Sequence, residues 1–270
     1  MGSRTGVKLM KSLEKITHLI IDMDGVLYRG DRPMPGLREF FAFLRERHIR
    51  FILATNNSTR TPHAYVDKLR GMGVTVSSDE ILVSGQATAR FLRREYPRGT
   101  RVHVFGMPSL KQAMTDEGFV LADEDVPLVV ASMDREVTYE KLKRATLLIR
   151  SGARFIATNL DPTNPSEEGL LPGTGSMIVA LEAASGVKAQ AIGKPEPTMY
   201  QLALKQMGAQ AESTAAIGDR VDTDILGGKR AGLTTICVLS GSSNRLEAEE
   251  IGTDMIFEDI AHLLETWKHL

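Results

Sequence analysis

Short apolar segments alternate along most of this 270-residue chain with segments whose apolar residues recur at helical spacing. The apolar segments, many of them rich in β-branched residues, are candidate strands at residues 17–21, 51–54, 81–83, 102–105, 128–131, 155–157, 191–192, 215–217, 235–239 and 255–257. The candidate helices lie at residues 37–47, 62–72, 87–96, 110–117, 139–151, 177–185, 198–207, 224–231 and 260–269. Strands without polar alternation are typical of parallel sheets covered by helices on both faces. The sequence therefore predicts an α/β fold with a doubly wound parallel sheet.

The length of the chain and its balance of charges limit the classes of protein to which it can belong. A chain of 270 residues is long for one domain and sufficient for two. Lys and Arg (33) nearly balance Asp and Glu (34), so the basic excess typical of a nucleic-acid-binding protein is missing. No uncharged apolar run approaches the roughly 18–20 residues that cross a membrane, and the single cysteine, Cys237, excludes an internal disulfide. We expect a soluble protein of the reducing cytoplasm with no nucleic-acid or membrane partner.

Two carboxylates follow the first predicted strand. Asp22 and Asp24 come directly after residues 17–21, and Gly25 then allows a sharp turn. Residues two apart on a strand point to the same side, and ligands bind at the carboxyl ends of strands in open parallel sheets. Two close carboxylates repel each other unless a cation lies between them or one holds a proton. This motif by itself is equally compatible with a polar turn that faces solvent.

A second acidic segment follows a later predicted strand. After Gly218 come Asp219, Asp222 and Asp224, three carboxylates within six residues ahead of a helical segment. An acid that caps this helix would account for Asp222 or Asp224. If this strand is a neighbour of the first one, both sets of carboxylates meet at one edge of the sheet. An all-oxygen donor set of that kind suits Mg²⁺.

Two further segments carry groups that can bind phosphate. Thr55, Asn56 and Asn57 follow the strand at 51–54, and Lys194 precedes a helical segment. A hydroxyl, backbone N–H groups and an ammonium group can all contact phosphoryl oxygens. Taken singly, each segment is more typical of a polar turn or a solvated lysine, so only their combination with the acidic motifs points to a function.

In this order, the segments D-M-D-G, T-N-N-S, G-K-P and G-D-R-V-D-T-D resemble the motifs of the haloacid dehalogenase superfamily of phosphohydrolases. Their spelling is most similar to that of the NagD-like branch, subfamily IIA, the 4-nitrophenylphosphatase group, and the resemblance covers residues 17–241. It implies a Rossmann-like catalytic core of residues 1–85 plus 190–270. An inserted α/β cap domain of the C2 type would then occupy residues 86–189.

The resemblance implies a Mg²⁺-dependent phosphatase that acts on small phosphorylated metabolites. Asp22 would be the nucleophile that becomes an aspartyl-phosphate, and Asp24 would be the general acid and then the general base. Mg²⁺ would be held by the Asp22 carboxylate, the backbone carbonyl of Asp24 and the Asp219 side chain, with Asp224 supporting its water ligands.

The remaining implied roles concern the phosphoryl group. Thr55, the backbone N–H of Asn56 and Lys194 would hold the transferring phosphoryl oxygens. Gly25 and Asn57, in the same loops, are candidate phosphate-binding residues.

The cap is expected to select the leaving group. Within it, the segment at 157–162 is similar to the substrate-facing loop of the family, which makes Asn159 and Asp161 candidate specificity residues, although such residues also suit an ordinary turn. The glycine-rich segment at 172–176 lacks a complete dinucleotide or P-loop signature, so we interpret it as a tight connection that leads into a helix. Relatives often pair through their caps, so a homodimer is possible.

Two alternatives remain open at this point. A phosphotransferase or mutase of the same fold would use the same nucleophile, and a phosphometabolite-binding protein without activity would keep the fold alone. The presence of both Asp22 and Asp24 argues against the second alternative. A dehalogenase is disfavoured because its chemistry has no use for Asp24 or for Mg²⁺.

Overall fold

The computed structural model describes residues 13–166 and 168–270, and strands and helices alternate along it as predicted. The strands are β1 (His18–Ile21), β2 (Tyr28–Arg29), β3 (Arg32–Pro33), β4 (Arg50–Thr55), β5 (Ile81–Val83), β6 (Arg101–Phe105), β7 (Val120–Leu121), β8 (Leu128–Ala131), β9 (Arg154–Ala157), β10 (Thr163–Ser166), β11 (Gly169–Pro172), β12 (Gln190–Ala191), β13 (Thr214–Gly218), β14 (Thr234–Val238) and β15 (Met255–Phe257). The helices are α1 (Leu37–Glu46), α2 (Pro62–Gly71), α3 (Ser84–Glu95), α4 (Pro108–Asp116), α5 (Tyr139–Arg150), α6 (Thr174–Ser185), α7 (Pro197–Met207), α8 (Leu226–Arg230), α9 (Arg245–Glu250) and α10 (Ile260–Lys268).

The first sheet has the strand order β15-β14-β13-β1-β4-β5. Strand β1 lies between β13 and β4 and is parallel to both, with Ile21 opposite Ile217 on one side and Leu53 on the other. Its apolar residues Leu19, Ile20 and Ile21 are all buried, as expected for a strand covered on both faces. Because the three strands run in the same direction, their carboxyl ends lie at one edge of this sheet.

The second sheet has the strand order β12-β9-β8-β6-β7, and its pairs are parallel. Alternate residues of its central strands point to opposite faces. On one face, Val104 and Val130 pack in a cluster with residues of α3 and α4. On the other face, Phe105 and Val129 pack with residues of α5 and α6. The prediction of a parallel sheet covered by helices on both sides is confirmed.

Contacts divide the chain into two compact units. The first unit comprises the described residues up to Ala54, then His63–Leu82 and Tyr200–Leu270, and the second comprises Thr55–Pro62 and Val83–Met199. The predicted core, 1–85 plus 190–270, and the predicted cap, 86–189, stay a prediction. Residues 55–62 and 190–199 group with the second unit, where the side chain of Asn56 is hydrogen-bonded to the backbone of Lys194.

Several short elements were not predicted. Strands β2 and β3 form a hairpin, as do β10 and β11, and β7 adds a two-residue edge strand. The two residues of β7, Val120 and Leu121, are apolar but exposed, so β7 is not a buried strand. Helix α9 begins after Asn244, whose side chain forms a capping box with Glu247. Among residues 13–166 and 168–270, no helix has the length and apolar character required to cross a membrane.

Candidate active site

Three carboxylates meet in the first unit. Asp22 follows β1, and Asp219 and Asp224 follow β13, the strand paired with β1. One carboxylate oxygen of each of these residues lies within 4.8 Å of the other two. Asp219 and Asp224 are each only 3% exposed, and Asp22 is half-buried. The convergence of Asp22, Asp219 and Asp224 that the motifs predicted is therefore present.

The backbone around Asp219 fixes its carboxylate. Oδ2 of Asp219 accepts a hydrogen bond from the backbone N–H of Ser242 at 2.8 Å. A Cβ atom at Gly25 would lie 2.5 Å from this Oδ2, and one at Gly241 would lie 2.0 Å from it. Gly25 also has a φ of 84°, in the left-handed region that favours glycine. Two glycines on separate loops thus allow the backbone to approach the Asp219 carboxylate closely.

Asp224 is held by a different local structure. The segment Val221–Ile225 forms a single π-type turn before α8, in place of the regular helix predicted from residue 224. Oδ2 of Asp224 accepts from the backbone N–H of Arg220 at 3.2 Å, and the Tyr200 hydroxyl donates to the Asp224 carbonyl oxygen at 2.9 Å. A Cβ atom at Gly218 would lie 2.1 Å from that of Asp224, so this approach also requires glycine.

Asp222, the remaining acid of this motif, is exposed and lies outside the cluster. Its carboxylate accepts two hydrogen bonds from the Arg220 guanidinium, at 3.1 and 2.8 Å. The expectation that Asp222 or Asp224 caps the following helix is wrong, because neither the π-type turn nor α8 has a side-chain cap. The arginine pair holds the Asp222 side chain at the surface instead.

The pKa of the Cys237 thiol is affected by the negative charges of this region. Cys237 lies on β14 opposite Gly218, and its side chain is fully buried. Burial, together with the nearby charges of Asp219 and Asp224, raises the pKa of the Cys237 thiol to about 12. A cysteine in this environment stays a thiol at neutral pH and is no candidate nucleophile.

Asp24, the predicted general acid, is exposed and lies in the turn that follows Asp22. The backbone N–H of Gly25 donates to the carbonyl oxygen of Tyr28 at 2.8 Å and closes this turn. The Asp24 side chain does not belong to the cluster of three carboxylates. Its predicted contribution to the metal is its backbone carbonyl oxygen, which stays a prediction.

In the second unit, Asn56 joins the segment after β4 to the segment around Lys194. Oδ1 of Asn56 accepts from the Lys194 backbone N–H at 2.8 Å, and Nδ2 donates to the Lys194 carbonyl oxygen at 2.8 Å. Lys194 itself is 4% exposed. The predicted convergence of Lys194 with Asp22 on one substrate stays a prediction.

The two candidate residues of the 157–162 loop lie beside Asn56. Asn159 Nδ2 donates to the Asn56 carbonyl oxygen at 2.8 Å, and the Asp161 carboxylate accepts from Asn56 Nδ2 at 3.0 Å. Most residues that line a small cleft of the second unit have polar side chains, among them Asn57, Asn159, Asp161, Asn164 and Thr174.

Local hydrogen bonds shape the rest of the loop after β4. The Thr55 hydroxyl oxygen accepts from the Asn57 N–H at 3.1 Å, and Asn57 Oδ1 accepts from both the N–H and the hydroxyl of Thr59. Such short-range bonds hold a tight polar turn at the end of a strand. Asn57 thus orders the loop through its side chain.

The glycine-rich segment at 172–176 forms the predicted tight connection into α6. The backbone N–H groups of Gly173 and Gly175 donate to the carbonyl oxygens of Pro162 and Asp161, at 2.9 and 2.8 Å. A Cβ atom at either glycine would lie within 2.4 Å of a backbone oxygen. These glycines therefore serve close packing against the 157–162 loop.

Sequence reasoning missed three groups that hold the site. Gly241 and Ser242 support Asp219, and Tyr200 supports the backbone of Asp224. The available signal was the position of Gly241 and Ser242 directly after the strand predicted at 235–239, at the same edge as the acids. Nothing in the local pattern around Tyr200 points to its hydroxyl contact.

Comparison with known proteins agrees with this architecture. A family model described as haloacid dehalogenase-like hydrolase matches residues 19–120, and a second, HAD-hydrolase-like model matches residues 191–263. An acid sugar phosphatase of Staphylococcus epidermidis is 39% identical over 89% of this chain and 94% of its own length. The chain belongs to the haloacid dehalogenase-like hydrolases.

Solved structures of this family resemble the chain over nearly its whole length. A 4-nitrophenylphosphatase from Thermotoga maritima has a TM-score of 0.90 and 38% identity, covering 94% of this chain and 98% of its own. A glycerol phosphate phosphatase from Mycobacterium tuberculosis in complex with magnesium has a TM-score of 0.88 and 31% identity, covering 95% and 78%. The chain is thus a phosphatase of the family, and its predicted resemblance to the NagD-like, 4-nitrophenylphosphatase group is confirmed.

Proposed function

We propose that this phosphatase hydrolyses phosphate monoesters of small metabolites with Mg²⁺, through an aspartyl-phosphate on Asp22. The observation that carries the proposal is the cluster of Asp22, Asp219 and Asp224 at the carboxyl ends of the paired strands β1 and β13. Three carboxylates at this distance, two of them buried, repel each other strongly unless a cation is bound.

The donor set of the cluster fits Mg²⁺. All three side chains offer oxygen, the donor that hard cations prefer, and a site with few carboxylates leaves positions for water and for phosphate oxygens. The Mg²⁺-bound relative from Mycobacterium tuberculosis supports the same assignment. We assign the metal to the carboxylates of Asp22 and Asp219 and the backbone carbonyl of Asp24, with Asp224 supporting its water ligands. When bound, the cation offsets the repulsion between an anionic nucleophile and an anionic phosphate.

The proposed chemistry has two displacements at phosphorus. A carboxylate oxygen of Asp22 forms a bond to phosphorus while the bond to the leaving oxygen breaks, and Asp24 donates a proton to that oxygen. Asp24 then accepts a proton from a water molecule, whose oxygen attacks phosphorus as the bond to Asp22 breaks. Inorganic phosphate leaves, and the carboxylate of Asp22 and the protonated form of Asp24 are restored. The exposed position of Asp24 suits a group that meets the leaving alcohol and then water.

We assign the binding of the phosphoryl oxygens to Thr55, the backbone N–H of Asn56 and Lys194, with Gly25 and Asn57 in the same loops. Hydrogen-bond donors and an ammonium group stabilise the charge that is redistributed over these oxygens during transfer.

Asn159 and Asp161 are our candidates for recognition of the leaving group. The polar cleft beside them suits a hydroxylated metabolite, in agreement with the sugar and glycerol phosphates named for two relatives. A homodimer formed through the cap and a location in a reducing cytoplasm remain part of this proposal. The second is supported by the buried, single thiol of Cys237.

The first test measures release of inorganic phosphate from p-nitrophenyl phosphate and from a panel of phosphometabolites, with Mg²⁺ and after its removal by a chelator. We expect Asp22→Asn to abolish turnover, because an amide is a poor nucleophile and a weak metal ligand. A matched control is Asp67→Asn, since Asp67 is exposed on α2 and its carboxylate pairs with Arg70. This control should keep wild-type activity.

The intermediate can be tested separately. Acid quenching during turnover, followed by borohydride reduction, converts an acyl phosphate into homoserine, which mass spectrometry locates in the peptide. We expect the modification at residue 22. Turnover that survives both Asp22→Asn and metal removal would contradict the proposal. Release of the alcohol only when a second metabolite is added, with the phosphoryl group recovered on that metabolite and not as inorganic phosphate, would favour the phosphotransferase alternative.

A further inference from the structure

The side-chain amide of Asn56 is fully engaged with the protein. Its oxygen accepts from the backbone N–H of Lys194, and its nitrogen donates to the carbonyl oxygen of the same residue, both at 2.8 Å. The second hydrogen of Nδ2 is directed to Oδ2 of Asp161 at 3.0 Å. Because a primary amide has only two N–H hydrogens, this side chain has no donor left for a substrate.

The backbone of Asn56 is also tied to its surroundings. Its carbonyl oxygen accepts from Ser84 Oγ at 2.6 Å and from Asn159 Nδ2 at 2.8 Å. Asn56 is 8% exposed and Asn159 is 2% exposed. Asn56 therefore contacts the Lys194 segment through its side-chain amide, and it contacts the 159–161 loop through both this amide and its backbone carbonyl oxygen.

Gly193 makes the contact between Asn56 and the Lys194 segment possible. A Cβ atom at Gly193 would lie 2.6 Å from Oδ1 of Asn56 and 2.5 Å from the carbonyl oxygen of Thr158. Neither contact leaves room for any other residue type at position 193. Because residue 193 is a glycine, the backbone before Lys194 can approach the side-chain amide of Asn56.

We propose that Asn56 is a positioning residue that fixes the backbone of Lys194 and couples it to Asp161. This inference rests on the proposed function, in which Lys194 binds the phosphoryl group. Four flexible methylene groups link the ammonium group of a lysine to its backbone, so the position of this group depends on how firmly the backbone is held. Because the same amide holds Asp161, the phosphate-binding lysine and the candidate specificity loop are kept in one arrangement before substrate arrives.

The central variant is Asn56→Asp, which has the same shape but lacks both donors. The new carboxylate can still accept from the Lys194 N–H, but it faces the Lys194 carbonyl oxygen and the Asp161 carboxylate. We expect kcat/KM for p-nitrophenyl phosphate to fall about 100-fold, as is typical when a reacting group is displaced by about 1 Å. The inhibition constant of inorganic phosphate should rise, since a displaced lysine binds this ion less well.

A second substitution tests the link to Asp161. In Asn56→Asp/Asp161→Asn, the new amide can donate to the new carboxylate, so donor and acceptor exchange places. We expect Asp161→Asn to lower kcat/KM in the wild-type background and to raise it in the Asn56→Asp background. This reversal of sign reports direct coupling of the two side chains, which a general loss of stability cannot produce.

The hydrogen bond itself can be measured without any assay of activity. Hydrogen exchange followed by NMR should show that the Lys194 N–H exchanges faster in Asn56→Ala than in the wild type. Thr138→Ala serves as the control for a loss of stability in the same unit, since the Thr138 side chain caps α5 through the N–H of Lys141. This control should lower the unfolding temperature, leave kcat/KM unchanged and accelerate Lys194 exchange less than Asn56→Ala does.

Two failures are distinguishable. If the wild-type protein releases no phosphate from any monoester with Mg²⁺, the proposed function fails. If the wild type is active but Asn56→Asp has wild-type kcat/KM and phosphate inhibition, or if Asp161→Asn has the same effect in both backgrounds, the positioning role of Asn56 is wrong.

Discussion

Gly241 offers a steric test of the carboxylate cluster, because it contacts the site without contributing a side chain. In Gly241→Ala, the added Cβ atom would lie 2.0 Å from Oδ2 of Asp219 and 2.3 Å from its Cγ. The backbone at Gly241 is outside the left-handed region, so alanine brings no conformational strain of its own. The substitution therefore acts only through the space that the Asp219 carboxylate occupies.

The size of the effect follows from these distances. Since real Cβ contacts are longer than 3.0 Å, the Asp219 carboxylate must move by about 1 Å. Such a movement stretches its hydrogen bond from Ser242, and together with overpacking it should lower the free energy of unfolding by about 2–4 kcal/mol. Mg²⁺ demands near-ideal geometry, so the Mg²⁺ concentration that gives half-maximal activity should rise about 10- to 100-fold.

The assay is a Mg²⁺ titration of p-nitrophenyl phosphate hydrolysis, paired with urea unfolding followed by circular dichroism. Gly71→Ala is the matched control, because Gly71 ends α2 in the same unit, and a Cβ atom there meets no atom within 4 Å. We expect this control to leave the Mg²⁺ titration unchanged and the stability equal or slightly higher. An unchanged Mg²⁺ requirement in Gly241→Ala would refute the claim that the Asp219 carboxylate, in its observed position, binds the metal.

Two further predictions concern charged groups outside the cluster. Asp222→Asn should keep wild-type activity and change the free energy of unfolding by less than about 1 kcal/mol, because Asp222 forms a surface pair with Arg220. Asp224→Asn should raise the Mg²⁺ requirement, since Asp224 belongs to the cluster. Equal effects of the two variants would contradict this assignment. Burial lowers the pKa of His103 below 6.5 despite its contact with Asp123, so the folded protein should lose stability as pH falls below 6.5, where the unfolded chain binds the proton first. Melting temperatures of the wild type and His103→Gln should therefore diverge between pH 8 and about pH 5, with the wild type falling more steeply, and parallel curves would contradict the role of His103.

The catalytic strands could be predicted because their signal is local. The buried strands β1, β4 and β13 appear in the sequence as continuous apolar runs, and the polar residue that follows each run marks the edge where ligands bind. The shorter elements could not be predicted in this way. The residues of β7 and most of those of β11 are exposed, and each of these strands is defined by its pairing with a neighbour.

The roles of the acids after β13 could not be separated by sequence reasoning. Asp222 and Asp224 are two residues apart in the same motif, and either could cap a helix or point into the site. The π-type turn at Val221–Ile225 decides between them, since it directs Asp224 inward while Arg220 holds Asp222 at the surface. A π-type turn depends on the packing around it and has no reliable sequence pattern.

By itself, the sequence determined the alternation of strands and helices, the order of the acidic, hydroxyl and lysine motifs, and hence the family. These properties reside in residue types and their spacing, which each segment carries independently of the rest. Only the tertiary structure decided that Asp22 lies beside Asp219 and Asp224, and that Asn56 is hydrogen-bonded to a lysine 138 positions away. Such pairings depend on which strands become neighbours and which backbone can approach at a glycine, and both are settled only when distant segments compete for the same space in the folded chain.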